Sequence, residues 1–295
     1  MNSSIHKMLQ HLIACLFVSF ITISAQATGQ EGDIITIEGT EWSLMGKPID
    51  FDSVLYHRLL DILPKDRSYS TANWDGYKAY WSIRNDYLCL DRIEVEFYNA
   101  ETRERRTANI PEADLQRVFG KYSKPQGIVA SWFNRDIRAT RGKMLYYVHE
   151  DYFRNLEYEQ ILTIKQGKIT RRQSYHNKVV IEEGFDFNMV RGQEDIHRLF
   201  PLHTQYYPEL AGSRRIVITI SKVKLDAKGN LVDCSVSVSG KDGKIEGLAQ
   251  EVKTLLKQTH PWKTLYINGE YVSTRYHESI MFPYNLKEES VNSAK

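Results

Sequence analysis

The chain has 295 residues, 42% of them hydrophobic and 26% charged, which suits one large globular domain or two ordinary ones and excludes disordered, collagen-like and disulfide-scaffold classes. Its 39 basic residues nearly balance 37 acidic ones, so the formal charge of +2 creates no field that would draw the protein to nucleic acid or an anionic membrane.

The N-terminus has the three-part layout of an export signal. Residues 1–11 are polar with one lysine, Lys7, residues 12–25 are almost wholly apolar, and Ala25-Gln26-Ala27 supplies an A-x-A cleavage signature. A membrane span needs about 20 apolar residues, and this run is shorter. The expectation is a signal peptide over residues 1–27, a mature chain from Thr28 without a transmembrane anchor, and a periplasmic or otherwise exported location. Cys15 leaves with the signal. Cys89 and Cys234 remain, each in an apolar strand pattern where a thiol behaves as a small hydrophobe. No C-x-x-C and no histidine–cysteine cluster is present, so neither a metal site nor a cofactor is expected.

Residues 28–191 read as a β-rich domain. Dense Tyr, Trp, Ile and Val alternate with short polar turns. Residues 77–83 and 87–97 flank Asn85-Asp86 as a hairpin; residues 158–165 and 168–173 form another about Gly167. Residues 52–63 place Val54, Leu55, Leu59 and Ile62 on one helical stripe before Pro64, and residues 111–119 begin a second helix with proline and acidic residues. Trp81, Trp132, Tyr146 and Val148 are expected to face inward as the bulk of a β core.

A boundary is placed near Gly192, and residues 192–286 form a second, smaller unit, followed by a polar tail at 287–295. Residues 215–225 are a β-branched strand, Asp226-Ala227-Lys228-Gly229-Asn230 is a turn, and residues 231–239 return with Val232, Cys234, Val236 and Val238 alternating against polar residues. Ile245, Leu248, Val252, Leu255 and Leu256 then fall at helical spacing over residues 244–259. Asn268-Gly269 opens the final strand, expected over residues 271–285. The fold class is therefore α+β: a mostly-β domain plus a ββαβ domain with one helix on a three-stranded antiparallel sheet.

Tyr207-Pro208, the strand ending in Leu225 with its following turn, the helix, Trp262, the run Asn268-Gly269-Glu270-Tyr271-Val272 and the closing Met281-Phe282-Pro283-Tyr284 resemble the TonB C-terminal domain. The N-terminal phrases around Trp81, Trp132 and residues 142–149 resemble a family of bacterial proteins with no assigned function. The TonB resemblance implies binding by strand addition to another envelope protein, either an outer-membrane transporter or a second copy of the chain. Three departures argue against energy transduction: a cleavable rather than spanning N-terminus, no proline-rich linker, and Lys263-Thr264 after the tryptophan where the family commonly has proline. The topology puts the last strand antiparallel beside the first, with the second strand on the far side. The last strand is then an edge, and Tyr271, Ser273, Thr274, Arg275, Tyr276 and His277 are the candidate binding residues.

An enzyme is not expected. G-x-S-x-G, G-x-x-x-x-G-K-[ST], H-E-x-x-H and G-x-G-x-x-G are all absent. The carboxylates at Glu150, Asp151, Glu157 and Glu159 read as solvated strand ends, His197 and His203 as core or surface residues, and the Arg103, Arg105 and Arg106 group as a solvated turn interleaved with Glu101 and Glu104. The alternative function is an N-terminal domain that binds or hydrolyses an envelope ligand, with the C-terminal module used only for docking.

Overall fold

The computed structural model describes residues 29–148 and 150–286. The expected signal peptide and polar tail, together with Thr28 and His149, lie outside the described residues. Strands predominate over helices and form two sheets. No described helix is long and apolar enough to cross a membrane.

The first sheet contains β1 (Ile34–Ile37), β2 (Thr40–Leu44), β3 (Tyr77–Arg84), β4 (Tyr87–Asn99), β5 (Glu104–Asn109), β6 (Ser123–Lys124), β7 (Gly127–Val129), β8 (Asp136–Tyr147), β9 (Arg154–Lys165) and β10 (Lys168–His176), with helix α1 (Ser53–Ile62) after β2 and α2 (Glu112–Phe119) after β5. Its order is β10-β9-β8-β2-β1-β3-β4-β7-β6, with β5 also on β4. The path curls back on itself. Lys168 pairs with Tyr87, and the amides of Leu88 and Ile169 donate to Gly167 and Asp86 at 2.9 and 2.7 Å, so β10 meets β4 and the curved sheet closes.

Both expected hairpins are present. Asn85 and Asp86 (φ 51° and 64°), and Gln166 and Gly167 (φ 49° and 76°), adopt the left-handed backbone that a two-residue turn matched to strand twist demands. Along β3 and β4 the period of two sends Tyr77, Ala79, Trp81, Ile93 and Val95 inward, all at most 1% exposed. Leu55, Leu59, Leu115, Val118 and Phe119 of the two helices complete that core. The Asp52 side chain caps α1 by accepting the Leu55 amide at 2.9 Å.

The second sheet contains β11 (Lys178–Ile181), β12 (Arg215–Leu225), β13 (Leu231–Gly240), β14 (Gly243–Lys244), β15 (Thr264–Ile267), β16 (Glu270–Val272) and β17 (Ile280–Asn285), with α3 (Gln193–Leu199) before β12 and α4 (Glu246–Gln258) before β15. Its order is β11-β15-β16-β12-β13-β14, with β17 also on β12. Seven strands stand where three were expected. The sheet also begins earlier than the Gly192 boundary, because Lys178 and Val179 pair with Tyr266 and Leu265. The first and second strands of the expected unit pair as anticipated, and α4 buries Leu248, Val252 and Leu256 against them.

The expected last strand is divided. β12 bulges after Ser221, with Lys222 at φ 53°, and the bulge separates two neighbours on the same side: β17 along Arg215–Ile220 and β16 at Lys224. Residues 273–279 leave the sheet opposite this bulge. Trp262 is fully buried, edge-on to Phe185 and Phe187 at 4.8 and 5.2 Å, and its amide donates to Gly229 at 2.9 Å. A Cβ on Gly229 would come within 2.8 Å of the Trp262 carbonyl, so the turn needs glycine for close approach as well as for its φ of 75°.

Candidate functional site

The six residues singled out in sequence do not share an open edge. Tyr271 lies on β16 with its ring 5.1 Å from Tyr266, and the other five belong to the excursion between β16 and β17. Ser273 is 2% exposed, Thr274 Oγ1 donates to Asp186 at 2.6 Å, and Arg275 pairs with Glu278. The Tyr276 hydroxyl donates to Asn155 Oδ1 at 2.5 Å, and its ring stands 5.0 Å from Tyr146. The His277 ring contacts Phe153 and Tyr146 at 5.3 and 5.9 Å. The excursion is a clamp between the two sheets. Burial, reinforced by the Arg138 guanidinium, lowers the His277 pKa from its ordinary value, and burial beside Glu278 raises the Tyr146 hydroxyl to about 12.

Two readings from sequence change at this junction. Glu159 is fully buried rather than solvated; its carboxylate accepts from Asn155 Nδ2 at 3.0 and 3.1 Å and from the Leu156 amide at 3.1 Å, with Arg138 at 3.6 Å. Tyr146 joins Leu265, Ile267 and Val272 in an inter-sheet cluster, with Val148 packed against it, instead of filling the first core. The histidines act locally: the His197 ring lies tilted against Tyr284 at 4.2 Å, and His203 Nδ1 lies 2.6 Å from Glu251. Cys89 and Cys234 are free and buried, and no described group of three His, Cys, Asp or Glu is placed to hold a metal.

Besides β11, which ends the sheet beyond β15, an open edge of the second sheet lies on β13, across β12 from β17. Pro283 has no amide hydrogen, so its pair with Val217 must be of the non-bonded type, and the backbone groups of Met281, Pro283 and Asn285 point away from β12. Gln193 of α3 fills that outward side: its Nε2 donates to the Pro283 carbonyl at 2.5 Å, and its Oε1 accepts the Asn285 amide at 2.9 Å. Of the outward set only Met281 remains without this cover. The same alternation carried across β12 turns Ser235, Ser237 and Ser239 toward β12, and Cys234, Val236 and Val238 outward; at Val232 the register shifts, and Val232 and Asp233 are both exposed, so the expected alternation of the strand ends at Cys234. Ile245 donates to the Val238 carbonyl at 2.9 Å, as that phase requires. Between Leu231 and Ser237 no described strand pairs with β13 on its outer side. Beside it Asp233 meets Lys253 of α4 at 2.8 Å, a contact that holds the carboxyl below its usual range.

A second arrangement was invisible in sequence, because charged residues read as solvated surface. Asp33, fully buried at the head of β1, accepts from the Ala79 amide at 3.0 Å and from Trp81 Nε1 at 2.9 Å, tying β1 to β3. Desolvation raises its pKa to about 7 despite the nearby Lys47. Lys47, 4% exposed, donates to Asn73 Oδ1 at 2.8 Å, to Asp75 Oδ2 at 3.0 Å and to the Tyr77 carbonyl at 3.4 Å. Tyr56 donates to the other Asp75 oxygen at 2.5 Å, and Tyr77 donates to Asp50 at 2.7 Å. Asp50 is raised by burial, and the Tyr56 and Tyr77 hydroxyls are raised by burial and the surrounding carboxylates. The network's main product is the shape of residues 66–76, which contain no helix or strand and are held by Lys47 through Asn73 and Asp75.

No known protein family matches the chain, and no characterised protein or solved structure matches it.

Proposed function

We propose that the protein is exported to the cell envelope and binds another protein by strand addition to its C-terminal sheet. The partner is an envelope protein, either an outer-membrane transporter or a second copy of this chain, and the reading involves neither catalysis nor a cofactor. One observation carries it: β13 lacks a strand neighbour along Leu231–Ser237, while Pro283 and Gln193 close the outer side of β17, the edge expected from sequence. The resemblance of this region to the TonB C-terminal domain supports the same mode, with the edge moved from the last strand to the second. The clamp of Ser273, Thr274, Arg275, Tyr276 and His277, entered from Tyr271 on β16, then serves to couple the sheet to the N-terminal unit.

The outward N–H and C=O groups of Cys234 and Val236 offer a guest strand about four hydrogen bonds, worth about 2–4 kcal/mol in total at about 0.5–1 kcal/mol each. Alternation supplies the test. Val236→Pro removes an outward amide and should abolish complex formation in envelope crosslinking of the full chain, with only a small loss of stability. Ser237→Pro removes an amide that faces Thr219 and should lower the melting temperature. Complexes that survive Val236→Pro unchanged would rule out strand addition at β13.

A further inference from the structure

The outer face of the first sheet carries a groove of about 510 Å3, within the range of small-molecule sites. Its floor follows from strand alternation. While Ile93, Val95 and Phe97 face the core, Glu94, Glu96 and Tyr98 of β4 face out beside Lys78 of β3 and Arg105 and Thr107 of β5, with the register pairs Lys78–Glu94, Glu96–Thr107 and Tyr98–Arg105. Its wall is the segment 66–76 that the Lys47 network holds in place. The Ser68 amide donates to the Glu96 carbonyl at 2.7 Å, and Gly76 sits at φ 65°, where a Cβ would come within 2.5 Å of the Ser68 carbonyl.

Arg67 is held in place in this groove before any ligand arrives. Arg67, 7% exposed, donates only to backbone, to the Asp75 carbonyl at 2.7 Å and the Pro64 carbonyl at 2.9 Å, and no described carboxylate forms an ion pair with it. Lys78 pairs with Glu31 at 3.3 Å and Arg105 with Glu96 at 2.9 Å, so most of the charge along the floor is already cancelled. Glu31, Asp66, Glu94 and Glu96 exceed Arg67, Lys78 and Arg105 by a single carboxylate, which disfavours an anionic ligand. Two tyrosine rings flank the groove. Tyr69 (56% exposed) and Tyr98 (50% exposed) each have a guanidinium near the ring, at 4.8 and 5.7 Å, which orients the ring and leaves much of it in solvent.

From this combination of exposed aromatic rings, a buried guanidinium held by backbone, paired surface charges, near-zero net charge and a braced wall, we infer that the groove binds a neutral polyhydroxylated ligand, an oligosaccharide. Tyrosine rings give sugar rings an apolar face with a polar rim. Paired carboxylate and guanidinium groups satisfy hydroxyls, each of which is both donor and acceptor. Because Arg67 and the 66–76 wall are positioned in advance, less ordering entropy is lost on binding. The site is separate from the β13 edge, so either assignment stands without the other.

The test is calorimetric titration of the full chain with cellohexaose, maltohexaose and chitohexaose, and with a sulfated hexasaccharide. At least one neutral hexasaccharide should bind saturably, and Tyr98→Ala and Tyr69→Ala should each weaken it about tenfold or more. Both rings are solvent-exposed, so the fold should hold, and a Val236→Pro control should bind sugar as the parent does. Failure of all three neutral sugars to saturate by about 10 mM, binding unaffected by both tyrosine variants, or preference for the sulfated sugar would each overturn the assignment.

Discussion

Lys47→Met removes the cation at the centre of the buried network and leaves the aliphatic stem largely in place. Three acceptors lose their donor: Asn73 Oδ1, Asp75 Oδ2 and the Tyr77 carbonyl. Breaking a buried pair from one side costs about 3–5 kcal/mol, because the remaining charge stays desolvated. The Asp75 side chain keeps 18% exposure and still accepts from Tyr56, which favours the lower end, about 3 kcal/mol. Urea denaturation followed by tryptophan fluorescence measures this directly. In a cycle with Asp75→Asn, the double variant should be less destabilised than the sum of the single variants by about 1–3 kcal/mol. The loss should also be spatially selective, with amide exchange rising first in residues 66–76, whose anchor is gone. A Lys47→Met variant within about 0.5 kcal/mol of the parent, or a cycle with no coupling, would refute the view that this network holds the wall of the groove.

Asp33 predicts a pH dependence of definite sign. Its folded-state pKa is raised from 3.8 to about 7, so the folded form binds the proton more tightly; the stabilisation is complete below about pH 4 and is lost as pH rises through about 7. At about 1.4 kcal/mol per unit this amounts to about 4 kcal/mol. Asp33→Asn should cost stability by turning a donor toward Ala79 or Trp81, yet its stability relative to the parent should improve between pH 4 and 7; parallel profiles would refute the assignment. Trp262→Ala should cost about 3–5 kcal/mol in urea denaturation, since a fully buried indole that seats Phe185, Phe187 and the Gly229 turn leaves a cavity; a loss under about 1 kcal/mol would show that the site collapses onto itself. Tyr276→Phe should cost about 1–3 kcal/mol by leaving the Asn155 carbonyl unsatisfied, and should raise protease cutting within residues 273–279; unchanged cutting would count against the clamp.

Local chemistry made much of the fold legible. Asn85-Asp86 and Gly167 mark hairpins because few residues besides Gly, Asn and Asp tolerate left-handed backbone, and of the expected stripe Leu55 and Leu59 are buried and Ile62 packs beside them, whereas Val54 is 67% exposed. The stretch Lys-Val-Val-Ile of β11 was too short to declare which sheet it would join; its partner lies far along the chain at Leu265. Closure of the first sheet rests on a few bonds between two turns, which no periodicity encodes. The interruption of the last strand depends on a bulge in β12 that only the paired strands reveal. The candidate edge was within reach of the sequence. Pro283 has no donor to give, and in an edge strand that marks the side its backbone turns outward, yet Gln193 closes that side from a helix whose placement sequence does not specify. The Lys47 network stayed hidden for a plainer reason: desolvation is a property of the folded surroundings, and a charged residue carries no sequence mark of it.

The most direct test of strand addition uses a photo-crosslinking amino acid placed singly at Ser235 on β13 or at Met281 on β17, in the full chain expressed in its native envelope. Both positions are exposed, so neither should disturb folding. The account predicts a discrete crosslinked protein from Ser235, lost when Val236→Pro is added, and none from Met281. Crosslinking from Met281 with none from Ser235 would contradict the account by returning the binding edge to the last strand, and silence at both positions would contradict strand addition itself.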